Sequence, residues 1–249
     1  MNARELTYLQ RMGIDVWLPR NAVDAAAPAP AAPPQPEPAP RVEKAGADRA
    51  ATAPDRDRAW EILAAEVADC QRCALRAGCT QTVFGVGDRR ADLLVVGEGP
   101  GAEEDRRGEP FVGRAGALLD AMLHAIQLAR GERVFIANVI KCRPPNNRDP
   151  RPEEVAACKP YLQRQIELLA PRAILALGRV AAQNLLGTDE PLGRLRSKPQ
   201  RLDSGEPVIV TYHPAYLLRS PQEKAKAWQD LKAVRALLAD TAVEEGARS

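Results

Sequence analysis

Four cysteines, a glycine-rich turn, one asparagine and one histidine carry most of the chemistry available to this chain. Cys70 and Cys73 form a C-x2-C pair that can grip one metal centre from two sides, whereas Cys142 and Cys158 must be brought together by folding. Four thiolates suit either zinc or an iron-sulfur cluster, and the spacing admits both. Cys79, in RAGCTQT, is the odd thiol, either an alternative ligand or a spectator.

A run of small residues follows at Gly97-Glu98-Gly99-Pro100-Gly101, continuing as AEEDRRGEPFVGRAG. Glycines here let main chain approach a ligand closely and turn amide N–H groups toward an anion or a carbonyl oxygen. A dinucleotide-binding turn would open a helix at once, but acidic residues and Pro110 intervene, so that reading is set aside. Asn138 closes a second apolar run and can offer one donor and one acceptor to the edge of a planar ring. His213, in TYHPA, closes a third such run; His124, inside a helical stretch, is expected to be inert.

The elements that must position these groups alternate along the chain. Helices are expected from about Ala59 to Asp69, Ala115 to Ala129, Pro152 to Leu169, Val180 to Leu186 and Pro221 to Leu238. Strands are expected at Asp92 to Val96, Val134 to Val139, Ala173 to Leu177 and Val208 to Thr211. Those strands are short and apolar on both faces, as buried parallel strands between helices must be. The fold class is therefore α/β: a three-layer α/β/α domain over residues 57–240 with a central, mostly parallel four-stranded sheet, and a flexible tail at 241–249. Ligands in such sheets bind outside the carboxyl ends of the strands, where Gly97, Asn138 and His213 fall.

Residues 21–56 are rich in Ala and Pro, lack hydrophobic periodicity and are expected to form a disordered linker. Before them, residues 1–20 carry an apolar stripe of Leu6, Leu9, Met12, Ile14 and Trp17, too small to fold alone. This stripe is either a frayed helix on its own domain or a partner-binding peptide. Its pattern LxxLQRMGIDVWLPR resembles the N-terminal peptide of the psi subunit of the bacterial clamp loader, which implies a replication-machinery partner. The net charge of +2 is too small to identify a polyanionic partner, so the placement of Arg and Lys has to do so. No apolar run is long enough to span a membrane and the first residues do not read as a signal peptide, so a cytoplasmic monomer at the bacterial nucleoid is expected.

Taken in order, CxxC, GEGPG with EPFVGRAG, NVIKCRPPNNR and YHPA resemble the family 4 uracil-DNA glycosylases, iron-sulfur members of the uracil-DNA glycosylase superfamily. The resemblance covers about Asp69 to Leu238. It implies a structural [4Fe-4S] cluster on Cys70, Cys73, Cys142 and Cys158, with Glu98 and His213 as the catalytic motif residues. It further implies a uracil site formed by Gly97, Glu98, Gly99, Pro100, Phe111, Asn138 and His213, and uracil-containing DNA, single- or double-stranded, as the substrate. Position 99 is often Ala in relatives, and better-known members of the superfamily carry an Asp there, which leaves the general base open. The basic insert with a reactive His that marks crosslinking relatives is replaced by PLGRLRSKPQRLD, so turnover is expected.

On this reading the enzyme flips uracil out of DNA, hydrolyses its N-glycosidic bond and leaves an abasic site, as in base excision repair. Glu104 and Asn147 are secondary candidates, for closing the pocket and supporting His213. Lys141, Arg143, Arg148, Arg194, Arg196, Lys198 and Arg219 are expected to grip DNA, with Leu217 and its neighbours Tyr216 and Leu218 as wedge residues or as the core-facing start of the last helix. The rival readings are a non-catalytic base-recognising module with a zinc site and a broader glycosylase that also accepts hypoxanthine.

Overall fold

The computed structural model describes residues 53–196 and 198–246. Four apolar segments, buried but for Pro207, build the centre: β2 (Leu93–Gly97), β3 (Val134–Asn138), β4 (Ala173–Leu177) and β6 (Pro207–Thr211). They pair in parallel in the order β3-β2-β4-β6, with Gly97 opposite Asn138 and Leu177 opposite Thr211. Parallel pairing demands crossover helices on the sheet faces, which buries both sides of each strand.

The helices are α1 (Ala53–Ala68), α2 (Ala102–Arg107), α3 (Arg114–Ala125), α4 (Pro152–Leu169), α5 (Arg179–Leu186), α6 (Leu192–Arg196), α7 (Pro214–Arg219) and α8 (Lys224–Gly246). Alternate strand residues divide the core. Leu94, Val96, Ile174 and Val210 pack with Trp60, Leu63, Leu162 and Ile166 on one face. Leu93, Val95, Leu175 and Ile209 pack with Leu119, Leu123, Leu231 and Val234 on the other. The result is the expected three-layer arrangement.

The sheet has six strands rather than four. β1 (Val86–Gly87) adds to β3 and β5 (Gln200–Arg201) adds to β6, both antiparallel. Two-residue edge strands have no periodicity to read, which is why the sequence does not announce them. Helix α1 begins at Ala53, inside the stretch expected to be linker, and α8 reaches Gly246, inside the expected tail. The reading of residues 1–20 and most of that of 21–56 lie outside the described residues.

The glycine turn does open a helix after all. Glu103, Glu104 and Asp105 fill the first turn of α2, where acidic side chains favour a helix N-terminus, and Gly108 ends it in a left-handed conformation at φ 76°. Residues 214–219 form a helix of their own, separated from α8 by a 3-10 turn at Pro221–Glu223. No described helix is long and apolar enough to cross a membrane.

Candidate active site

The carboxyl ends of β2, β3 and β6 open onto one cavity of about 500 Å³. Glu98, Gly99, Pro100 and Gly101 line it from the turn after β2, Asn138 from the end of β3, and His213 from the residue pair after β6. Phe111 and Glu104 complete one wall, and Pro144, Asn147, Arg148 and Asp149 the opposite rim. Three segments distant in sequence thus share a single cavity, as their strand-end positions require.

Asn138 is 2 % exposed, and no donor among the described residues reaches its Oδ1. Its carboxamide sits so close to Gly97 that a Cβ at position 97 would fall 2.4 Å from Oδ1 and 2.6 Å from the Phe111 ring. Gly97, half-concealed in the sequence as the last residue of a buried strand, is what lets the amide and the aromatic ring occupy the same wall. Phe111 itself is buried and takes a left-handed backbone at φ 56°, uncommon for a residue with a Cβ.

His213 caps α7, its Nδ1 accepting the Ala215 amide N–H at 3.2 Å. An acceptor at Nδ1 places the ring proton on Nε2, making that nitrogen a donor. Burial pushes the imidazole down to about 4, and the nearby Arg219 charge adds to the effect, so the ring is neutral at pH 7. Gly178, at φ 88°, lies against His213 Cβ and gives the ring its place beside β4.

Glu98 is raised to about 7, first by burial and then by the charge of Asp149, with Arg179 opposing. Arg179 donates to Asp149 Oδ2 at 2.6 Å, so the pair forms a charged rim next to Glu98. Glu104 ties the wall together: its carboxylate accepts the N–H of Gly101 at 3.2 Å and of Val112 at 3.1 Å. The Gly101 amide is therefore occupied, which removes it as a donor to a ligand. Asn147 Oδ1 accepts from Arg143 Nε at 2.7 Å and so fixes the loop after β3.

The four cysteines converge away from the cavity. Cys142 and Cys158 are buried, Cys70 and Cys73 half-buried just after α1. Burial, a contact with Cys79 and the nearby sulfurs of Cys158 and Cys73 push the Cys142 thiol far up. Burial likewise raises Cys158, which the Lys141 amide and charge partly offset. Among the described residues no three His, Cys, Asp or Glu side chains close around a single metal ion.

Several expected DNA contacts are elsewhere. Lys141 is 1 % exposed and donates to the Asn138 carbonyl at 2.9 Å and Gln165 Oε1 at 2.7 Å. It is an internal strut, because the chain after β3 runs buried from Ile140 to Cys142. Arg196 is held by Asp230 at 2.8 to 3.0 Å and lies over the Tyr212 ring, so it closes the end of β6 rather than facing a partner. Leu217 is 1 % exposed and packs in the core, while its neighbours Tyr216 and Leu218 are outside. Arg148 lines the cavity but is engaged by both oxygens of Glu154. Arg219 lies exposed at the cavity, Arg143 is half-buried, and Arg194 and Lys198 are exposed on and after α6. His124 is exposed on α3 and remote from the cavity lining.

Asp149 and Arg179 were not singled out by sequence reasoning as site residues. Asp149 follows Arg148 in a Pro-rich loop, and only the left-handed turn at Asn146 and Asn147 brings it back to the rim. No local pattern reveals such a return.

The uracil DNA glycosylase superfamily matches residues 84–232. A type-4 uracil-DNA glycosylase of Archaeoglobus fulgidus is 46% identical over 176 residues, covering 68% of this chain and 88% of the relative. One from Thermotoga maritima is 45% identical over 166 residues, covering 66% and 86%. A third, from Sulfurisphaera tokodaii, is 40% identical over 184 residues, covering 71% and 84%. Cavity, strand-end residues and these similarities agree, and the chain belongs to the type-4 uracil-DNA glycosylases of the uracil-DNA glycosylase superfamily.

Proposed function

We propose that the cavity receives a uracil flipped out of DNA and that its walls read and release the base. The chain is a uracil-DNA glycosylase, an N-glycosyl hydrolase of base excision repair. The observation that carries the site assignment is the buried, unpartnered Oδ1 of Asn138. Leaving such an acceptor unmet costs about 1–3 kcal/mol, and the N3–H of uracil is the donor it lacks. The amide nitrogen then meets uracil O4. Cytosine reverses donor and acceptor at both places, so it is rejected. Phe111 stacks on the ring, a contribution of roughly 1–3 kcal/mol that does not by itself distinguish bases.

Bond cleavage leaves positive charge on the sugar and negative charge on uracil, chiefly at O2. A neutral His213 with its proton on Nε2 donates to that oxygen as charge develops, the differential stabilisation that accelerates the chemical step. Glu98, as a carboxylate, balances the sugar cation or orients the attacking water. Gly99 and Pro100 form the floor between them, and Glu104 holds the floor to the Phe111 wall.

Cys70, Cys73, Cys142 and Cys158 would hold a [4Fe-4S] cluster. Burial raises the Cys142 and Cys158 thiols, so a cationic centre that takes them as thiolates would relieve that cost, and four cysteines are the donor set of a cubane. A cluster held there would tie the segment after α1, the loop after β3 and α4 together. DNA phosphates are met by Arg143 and Arg219 near the cavity and by Arg194 and Lys198 on and after α6, with Tyr216 and Leu218 replacing Leu217 as the wedge. Residues 1–20 are proposed to contact a protein of the replication machinery.

The test is base excision from single- and double-stranded oligonucleotides carrying uracil, cytosine, hypoxanthine or mispaired thymine, read as abasic sites. Release from the uracil substrates and not from cytosine is expected. No abasic product from any uracil strand overturns the reading.

A further inference from the structure

Arg130 lies outside the cavity lining, yet it grips the residues that hold the aromatic wall. Its Nη1 donates to the Pro110 carbonyl and its Nη2 to the Phe111 carbonyl, each at 2.8 Å. Its remaining edge is fixed by Asp120, with Nε at 3.1 Å and Nη2 at 3.0 Å from Oδ1, Glu109 Oε1 lies 3.5 Å from Nη1, and the side chain is only 20% exposed. The grip falls where the backbone is constrained. Phe111 has φ 56°, and a Cβ at Gly116 would lie 1.8 Å from the Phe111 oxygen, so α3 presses directly against that carbonyl. From the other side Glu104 accepts the Val112 amide. Two consecutive carbonyls and the following amide are thus pinned by two side chains of opposite charge.

We propose that Arg130 is a positioning residue for base recognition, holding Pro110 and Phe111 in the left-handed turn that presents the Phe111 ring to the flipped base. The inference rests on the reading that Phe111 stacks on uracil. A planar guanidinium with parallel donors matches two successive carbonyls, and a lysine ammonium at the same place does not. When the grip is lost, Phe111 relaxes toward ordinary negative φ and its ring leaves the wall above Gly97.

The experiment is a double-mutant cycle on the full chain with uracil-containing oligonucleotides, reading kcat and KM separately and Tm alongside. Arg130→Gln is expected to raise KM about ten-fold with a smaller change in kcat, within the range that loss of one stacking contact allows. Arg130→Lys is expected to recover little of this. In the Phe111→Ala background Arg130→Gln should add nearly nothing to KM, because the grip acts through the ring. Asp120→Asn, which weakens one of the two ion pairs and leaves both carbonyl bonds, should stay near the parent KM. Additive effects of Arg130→Gln and Phe111→Ala, or Arg130→Gln and Asp120→Asn changing KM alike for equal loss of Tm, would show a merely structural role and overturn the inference. A parent-like Arg130→Gln beside an impaired Phe111→Ala overturns it as well and leaves stacking intact. A parent-like Phe111→Ala removes the stacking reading itself, and the inference with it.

Discussion

Asn138 Oδ1 and the backbone of Gly97 face each other across paired strand ends so closely that a methyl group on residue 97 would stand 2.4 Å from the oxygen. The same methyl would meet the Phe111 ring at 2.6 Å. One hydrogen atom at position 97 therefore sets the width of the base-reading wall.

Gly97→Ala is expected to lower kcat/KM for uracil excision by about ten- to a hundred-fold, the effect of roughly 1–3 kcal/mol of overpacking placed on recognition. Steady-state kinetics on a short uracil-containing strand checks it, with Tm measured to separate misfolding from a displaced Asn138.

The pH profile should follow Glu98. Burial and Asp149 hold its carboxyl at about 7, so below that pH it is mostly protonated and above it mostly ionised. If the carboxylate is the working form, kcat/KM rises with pH through about 7 and levels off above it. Glu98→Gln should lower the plateau and abolish the limb. His213, held down to about 4, contributes no limb near neutrality.

Lys141→Met should reveal a strut rather than a DNA contact. Loss of the bonds to the Asn138 carbonyl and Gln165 is expected to lower Tm by several degrees, as roughly 1–3 kcal/mol of unmet buried polar groups implies. The salt dependence of DNA binding should stay unchanged, whereas Arg143→Ala should reduce its log–log slope by about 1. Binding titrations at several salt concentrations separate the two.

Protein purified without oxygen should be brown and carry about four irons per chain. Cys142→Ser should lose most of that iron together with thermal stability, measured by iron analysis and visible absorption. A colourless protein with one zinc would contradict the cluster assignment.

Much of this was legible in the chain, and the exceptions have physical causes. The segments Leu93–Gly97, Val134–Asn138 and Ala173–Leu177 are apolar on both faces, so their burial and parallel pairing could be read directly. The carboxyl ends of Leu93–Gly97, Val134–Asn138 and Pro207–Thr211 then placed Gly97, Asn138 and His213 at one edge. Lys141 was misplaced because lysine is almost never fully buried, and only the pairing of its ammonium with a carbonyl and Gln165 makes it possible here. Leu217 looked like a wedge by proximity to His213, but α7 turns it inward and exposes Tyr216 and Leu218. Arg130 carries no motif at all; its proposed role arises from the carbonyls of Pro110 and Phe111, twenty and nineteen residues upstream.

The most direct test of the whole account is the turnover of His213→Ala on a saturating uracil-containing strand. A neutral imidazole donating to the departing uracil predicts a fall in kcat of about a hundred- to a thousand-fold with KM little changed. Parent-like kcat, or a loss confined to KM, would contradict it.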